Sequence, residues 1–439
     1  MTITENGTDI PEYGSGGLSR RSFIRFGSAA GLTVLLGGAA GTLSGCDLGD
    51  QIFRGTRTIT DDAGREVKIP TASELERIYF TSSLAQIFCF TLNPDILAGT
   101  AIRFTKQELE LLPEGTGDLS YLGSMSEDGE IDREALIVEK VQVVFSISGI
   151  GLTEQNISEA ETLQDQTQIP VVLIDGSFSN IANAYRELGD IFGTKDRAED
   201  IAVYLEGIYD EVTAAVDTVP DEDRITLYYA EGPLGLQTDP DVSQHSLTFK
   251  VGGAALAASN IRRGCLRSPS QLVPAALLPA VIVAWDDVIR GGADERIRTN
   301  ADWSKIKAVQ DGRVYTMPNE PFSWCDRPPG VNRFIGIQWI ANMLYPDIYD
   351  IDMVEATKEF YSRLYWVDID DDKAKEILGL YDEMKQTVPE VTRSQYAIAA
   401  IDTLFGTPVF SSTEFYERSA IPKVSGAKIL KDLEENELI

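Results

Sequence analysis

Two loops in the second half of the chain carry the side chains best suited to hold a small molecule. Trp324 and Arg327 lie in one Pro-rich loop. A Trp there has few apolar places to pack, so we expect its ring to be exposed in a cleft. The guanidinium of Arg327 suits anionic oxygens such as carboxylates or catecholates. The alternative is that Arg327 ties down its own loop, and the two roles are compatible.

An earlier loop adds Tyr229 and His245. Tyr228 and Tyr229 end an apolar run, so one ring should face the core and the other the opposite side. His245 could ligate iron or hydrogen-bond an anionic ligand, although a lone His is more often structural. It is the only His among 439 residues. This excludes a site built from several histidines and leaves His245 as one possible metal ligand.

The first half offers Ser82 and Ser83, which follow the short apolar run 77–80. They either contact a ligand or cap the next helix. Tyr121 either stacks on a macrocycle or catecholate or covers the core. No nucleophile and base stand in a recognisable arrangement, so we expect no enzymatic activity.

Charge and cysteine content narrow the classes further. The chain has 69 acidic and 38 basic side chains, a formal net charge of −31. Nucleic-acid binding usually needs a basic face, so we expect no nucleic-acid partner. Cys89, Cys265 and Cys325 have no metal-binding spacing, and burial as small apolar side chains is the better interpretation.

The N-terminus carries an export pattern. Residues 19–25 read SRRSFIR, a twin-arginine signal, and an uncharged Gly- and Ala-rich stretch leads to Leu43-Ser44-Gly45-Cys46, which resembles a lipobox. We expect cleavage, a lipid on Cys46 and anchoring on the extracytoplasmic face of the cell membrane. A transmembrane helix is the minor alternative.

The periodicity of the folded part predicts an α/β protein. Short apolar runs alternate with helical patterns, which favours parallel sheets flanked by helices. A long amphipathic stretch from Ile181 to about Val216 is interrupted by Gly193 and is either one bent helix or two in tandem. The predicted fold class is therefore two Rossmann-like α/β lobes joined by a long backbone helix.

Four segments together resemble the helix-linked solute-binding lipoproteins that serve importers of siderophores, haem and cobalamin. They are 57–70 (RTITDDAGREVKIP), 131–137 (IDREALI), the helix 184–216, and 321–333 (PFSWCDRPPGVNR), which resembles an iron-chelate branch. The resemblance implies a signal peptide at 1–46, a spacer at 47–56, an N-terminal lobe at 57–180, a linking helix at 181–218 and a C-terminal lobe at 219–378.

The same resemblance implies a function and partners. The ligand is expected to be a metal chelate, most simply a ferric siderophore, with haem or a corrinoid (cobamide) as alternatives, and the partner is an ABC importer permease. Ser82, Ser83 and Tyr121 stand where the family contacts its ligand, and the iron-chelate branch has a His at the position of His245. Glu134 matches one of two acidic docking residues, whereas Ser270 occupies the position expected for the second.

Residues 379–439 do not belong to that family. They resemble the winged-helix segment of Fic-type proteins, through pieces such as 392–396 (TRSQY) and the helix 427–439, and predict a small α-rich tail. Ten acidic and six basic residues give this tail a net charge of −4, which disfavours DNA binding. The alternative to a transport function is a signalling or structural lipoprotein that holds a partner with its lobes and tail. Capture of free zinc or manganese is disfavoured, because such sites need several His and carboxylate ligands.

Overall fold

The computed structural model describes residues 55–125, 130–257, 266, 268–272, 279–285 and 293–379. In the tail it describes 392, 394, 396, 397, 400, 415, 416, 419 and 421–435. The twin-arginine motif, Cys46, Cys265 and much of the Fic-like sequence lie outside these residues. Within the described ranges, we find no helix that combines the length and apolar composition needed to span a membrane.

The first elements of the described residues form an antiparallel hairpin. Strands β1 (Thr56–Thr60) and β2 (Glu66–Pro70) pair with Thr60 opposite Glu66. Gly64 in the turn has φ +77°, a conformation that favours glycine. Arg65 pairs with Asp61 at 2.6 Å and donates to the carbonyl of Val171 at 2.7 Å, so the hairpin is fastened to the first lobe.

Lobe 1 is built on a parallel sheet of three strands, β3 (Ile78–Phe80), β4 (Val143–Ser148) and β5 (Val171–Asp175), in the order β3-β4-β5. Two further segments extend it beyond β3, through parallel bridges from Ile78 to Leu97 and from Thr100 to Tyr121. All three strands are apolar and buried, as expected for a sheet covered on both faces. The elements are β3 (Ile78–Phe80), α1 (Ser83–Leu92), α2 (Lys106–Leu109), α3 (Arg133–Val138), β4 (Val143–Ser148), α4 (Glu154–Thr167) and β5 (Val171–Asp175).

The linking region consists of two helices, α5 (Ile181–Phe192) and α6 (Lys195–Val216). Gly193 ends α5 with φ +75°, and Arg186 of α5 then pairs with Glu199 and Glu206 of α6, each at 2.7 Å. The two helices therefore fold back on each other. Of the two alternatives from the sequence, the structure has two helices, and α6 alone is the long connector between the lobes.

Lobe 2 repeats the parallel design with strand order β7-β6-β8-β9. The strand β7 is only two residues long and was not predicted from the sequence. The elements are β6 (Thr226–Ala230), α7 (Leu247–Val251), β7 (Ala255–Leu256), β8 (Val281–Ala284), α8 (Asp294–Thr299), α9 (Lys307–Gln310), β9 (Val314–Thr316), α10 (Arg333–Leu344), α11 (Met353–Tyr365) and α12 (Asp371–Ile377).

Trp366, which directly follows α11, contacts lobe 1. Arg197 of α6 stacks on the Trp366 ring at 4.0 Å and donates to the carbonyl of Thr91 at 3.0 Å. The indole of Trp366 donates to the carbonyl of Phe90 at 2.9 Å. These contacts join both lobes to the connector helix, and we call Phe90, Thr91, Arg197 and Trp366 the closing contact.

The described part of the tail has its own apolar cluster. Helix α13 (Lys423–Glu435) contributes Ile429 and Leu433, which are buried with Ala400, Phe415 and Ile421. An α-rich tail with a separate small core is consistent with these residues.

Candidate functional site

The candidate site of lobe 2 is organised by Asp326. Its carboxylate is completely buried. It accepts hydrogen bonds from the Tyr229 hydroxyl at 2.7 Å and from Nη1 of Arg327 at 2.6 Å, and it is bonded to Nδ1 of His245. A buried carboxylate is stable only with such partners. We call Tyr229, His245, Asp326 and Arg327 the Asp326 cluster.

Strand β6 positions Tyr229 in this cluster. Tyr228 packs in the lobe core beside Trp303, whereas the Tyr229 ring packs on Phe249 at 4.7 Å, as the alternation along a strand predicts. Burial, reinforced by the charge of Asp326, raises the pKa of Tyr229 well above its usual value. Tyr229 therefore remains a hydrogen-bond donor to Asp326.

His245 lies on a single 3-10 turn, residues Gln244–Ser246, that is capped by Ser243. Its bond to Asp326 uses Nδ1 and so leaves Nε2 as the ring nitrogen that can bind a ligand. Arg333 supports this arrangement from beneath. It is fully buried and donates to the carbonyls of Gln244 at 2.9 Å and Cys325 at 3.2 Å, the neighbours of His245 and Asp326.

Arg327 is surrounded by carboxylates. Its guanidinium lies 2.6 Å from Glu231, 2.6 Å from Asp326 and 3.4 Å from Asp239. It is 43% exposed, so part of the guanidinium can be reached from solvent. The expectation that Arg327 ties down its own loop is confirmed, and the three acids compete with any anionic ligand for it.

Trp324 does not line a cleft. Its side chain is fully buried, and its indole donates to the Tyr361 hydroxyl at 3.4 Å. The expected exposure is therefore wrong. Helix α11 covers the Trp324 side chain, and the Pro-rich sequence around Trp324 does not indicate this contact.

The lobe 1 residues lie at the carboxyl ends of its strands. Ser82 is the N-cap of α1, and its hydroxyl accepts from the backbone of Ala85 at 3.2 Å. Ser83 is the first residue of that helix and is half-buried. The capping role of Ser82 is therefore confirmed, and ligand contact by either serine stays a prediction.

Tyr121 is 38% exposed and stacks under an arginine that the sequence analysis did not single out. The guanidinium carbon of Arg103 lies 4.3 Å from the centre of the Tyr121 ring, a cation–π contact. Tyr121 is therefore available to a ligand rather than serving only to cover the core.

The strand ends of lobe 1 and the candidate site of lobe 2 approach each other at the loop that follows Arg327. A Cβ atom on Gly149, which follows β4, would lie 2.8 Å from Pro329 and 2.9 Å from Leu84. Phe322 packs against Phe90 of lobe 1 at 6.3 Å. The structure thus brings Tyr229, His245 and Arg327 together and places Ser82, Ser83 and Tyr121 on the opposing lobe.

The expected docking residues lie on the surface. Glu134 is exposed in the first turn of α3. Ser270 is exposed in a 3-10 turn, residues Pro269–Leu272, and its hydroxyl lies 2.6 Å from that of Ser268.

Part of the chain matches a known protein family, and the fold resembles that of solved solute-binding proteins. Residues 113–321 match the family described as periplasmic binding protein. The two-lobe α/β architecture is that of this class. The matched residues make up less than half of the chain, so they show a similarity to this family and not membership of it. The Fic-like character of the tail is not confirmed by these matches and stays a prediction.

Individual relatives are distant. The molybdate-binding protein MolA of Haemophilus influenzae is 21% identical over 338 residues, covering 70% of this chain and 91% of MolA. A solute-binding protein of an ABC transporter from Sulfurospirillum deleyianum superposes with a TM-score of 0.65 at 24% identity, covering 73% of this chain and 98% of that one. Helicobacter pylori CeuE, solved as a complex with nickel and His, gives 0.54 at 14% identity, covering 74% and 99%.

Proposed function

We propose that this protein captures a metal chelate outside the cytoplasmic membrane and delivers it to an ABC importer, with a ferric siderophore or related iron complex as the first candidate. The observation that carries the proposal is the bond between His245 and the buried Asp326. A carboxylate on one ring nitrogen fixes the orientation of the imidazole and makes the other nitrogen a better metal ligand.

The donor set favours a chelated metal over a free ion. Asp239, His245 and Asp326 offer ligand atoms within 4.8 Å of one another. Asp326, however, already accepts from Tyr229, His245 and Arg327, and Asp239 lies 3.4 Å from Arg327. A free ion would have to displace these partners. A metal that brings most of its own ligands needs only Nε2 of His245.

The relatives give independent support for this class of ligand. MolA is named for molybdate, and CeuE was solved with a nickel–His complex. Both are metal species that carry ligands of their own. Haem and a corrinoid fit the same logic, because each presents a metal position that a single His can occupy.

Spectroscopic titration tests the role of His245. The probe is ferric bis-catecholate, which leaves two iron positions open, with haem, a corrinoid, molybdate and free Ni²⁺ as alternatives. We expect the wild type to bind a chelate and to shift its absorption. His245→Ala should lose that shift and at least about tenfold in affinity, and added imidazole should restore part of both. Gln244→Ala is the matched control beside it.

Two results would refute the proposal. One is a His245→Ala protein that binds every probe as the wild type does. The other is free Ni²⁺ binding more tightly than every chelate.

Anchoring is a separate part of the proposal. The lipobox-like sequence supports a lipid on Cys46 and twin-arginine export. Cys46→Ala should move the protein from the membrane fraction to the soluble fraction, and an unchanged distribution would refute the lipid anchor. Replacing Arg20 and Arg21 together by Lys should block export.

A further inference from the structure

The arginines on the two facing edges differ in their partners. Arg327 in lobe 2 lies within 3.4 Å of three carboxylates, Glu231, Asp239 and Asp326. Arg103 in lobe 1 is exposed, and among the described residues no carboxylate lies within ion-pair distance of it. In a chain of net charge −31, an exposed cation without an acidic partner is well placed to meet an anion from solution.

The topology puts Arg103 on the side of the candidate site. The segment that ends at Thr100 runs parallel to β3, since the amide of Ala98 donates to the carbonyl of Ile78 at 2.8 Å. The carboxyl ends of parallel segments share one edge, so Arg103 emerges at the same edge as Ser82.

The Tyr121 ring holds this guanidinium. The guanidinium carbon lies 4.3 Å from the centre of the ring, so the aromatic face restricts where the cation can move. Such preorganisation lowers the entropy lost when an anion binds. The cation needs no acidic partner to fix its position.

We infer that Arg103, held by Tyr121, is the residue that selects anionic chelates, and that Arg327 instead holds the Asp326 cluster together. The inference rests on the proposed function and adds a charge preference to it. Charge-assisted hydrogen bonds from an arginine to catecholate or carboxylate oxygens supply the recognition. Ligands without negative charge gain nothing from Arg103.

The test compares two ferric complexes of matched size. Ferric bis-catecholate is a monoanion and ferric bis-hydroxamate is a monocation, and each leaves two iron positions open. We expect Arg103→Gln to weaken binding of the anion roughly ten- to hundredfold and to leave the cation within about twofold. Raising the salt concentration should narrow the difference between wild type and variant.

Further variants separate recognition from structure. Tyr121→Ala removes the aromatic face beneath Arg103 and should weaken binding of the anion while leaving binding of the cation within about twofold. Arg77→Gln removes a charge that is paired with Glu139 before β3, at the opposite edge of the sheet, and should leave both affinities unchanged. Thermal unfolding of each variant confirms that the lobe is intact.

The outcomes are distinct. A wild type that binds neither complex, nor any other chelate, refutes the proposed function itself. A wild type that binds the anion, together with Arg103→Gln that binds it equally well, refutes only the role of Arg103. Equal losses for anion and cation would show that Arg103 is structural.

Discussion

Two groups of acidic side chains, one around Asp326 in lobe 2 and one between the opening hairpin and α5, are neutralised by different means. In lobe 2, Asp326 is balanced by the guanidinium of Arg327 and by the buried Arg333, whose pKa is lowered by burial to about 10 despite the charge of Asp326. Where the opening hairpin meets α5, the carboxyl groups of Asp62 and Glu187 interact with each other. Among the described residues, neither has a basic side chain within ion-pair distance. We call these two the Asp62–Glu187 pair.

The difference lies in what neutralises the charge. An arginine stays protonated throughout the ordinary pH range, so the positive charge of Arg327 beside Asp326 is independent of pH there. Two carboxylates that face each other need a proton between them. Burial, followed by the charge of Asp62, raises the pKa of Glu187 to about 7. The Asp62–Glu187 pair should therefore titrate at a pH where the arginine beside Asp326 stays charged.

The largest effect should follow Asp326→Ala. This change leaves Arg327, His245 and the Tyr229 hydroxyl without their shared partner, and it removes the negative charge that favours the buried Arg333. Breaking a buried charge pair on one side costs about 3–5 kcal/mol, to be measured as the free energy of unfolding in urea. Asp326→Asn keeps the shape and should cost less. A loss below about 1 kcal/mol for Asp326→Ala would mean that the cluster is not electrostatically organised.

A smaller effect should appear as pH dependence. Because the pKa of Glu187 is higher in the folded than in the unfolded chain, the folded state binds this proton more tightly. The resulting stability is present below pH 4.5 and is lost as the pH rises towards about 7. Partial exposure screens the effect to the order of 1–2 kcal/mol.

Glu187→Gln removes this titration, so its unfolding free energy should be flatter than that of the wild type between pH 5 and pH 8. Urea unfolding at several pH values measures the slope. Parallel curves for the two proteins would show that Glu187 is already ionised in the folded state.

The smallest expected effect concerns Asp175. Its amide donates to Asp62 at 2.6 Å, and its negative charge raises the pKa of both members of the pair. Asp175→Asn keeps an acceptor for the amide of Ser177 and removes that charge. The pKa of Glu187, followed by NMR titration, should fall by a few tenths of a unit. A rise would contradict the electrostatic interpretation.

Much of the fold was predictable because it depends on local periodicity. Apolar runs such as 171–174 became buried strands, and the opening hairpin has a turn whose Gly64 needs a positive φ. The break at Gly193 was visible as an interruption of the helical pattern, although its consequence, a helix that folds back, depends on ion pairs between α5 and α6.

The candidate site was less predictable because its chemistry is tertiary. Asp326 lies in the segment 321–333, which resembles an iron-chelate branch. Nothing in the neighbouring sequence shows that His245 and Tyr229, which are 81 and 97 residues away, contact it. Trp324 was expected to be exposed because its cover, Tyr361, comes 37 residues later. Arg103 carries no pattern at all, and its position depends on a parallel bridge between two short segments.

The closing contact has a consequence for the order of folding. Trp366 meets Phe90 across 276 residues of chain, so the end of lobe 1's first helix lacks its partner until nearly all of lobe 2 has been synthesised. Contacts of such sequence separation form late, because the entropy of closing the loop must be overcome first. A chain truncated before Trp366 would keep most of both sheets but would lose the hydrogen bond between Trp366 and Phe90. Formation of the closing contact therefore has to await synthesis of the segment that contains Trp366.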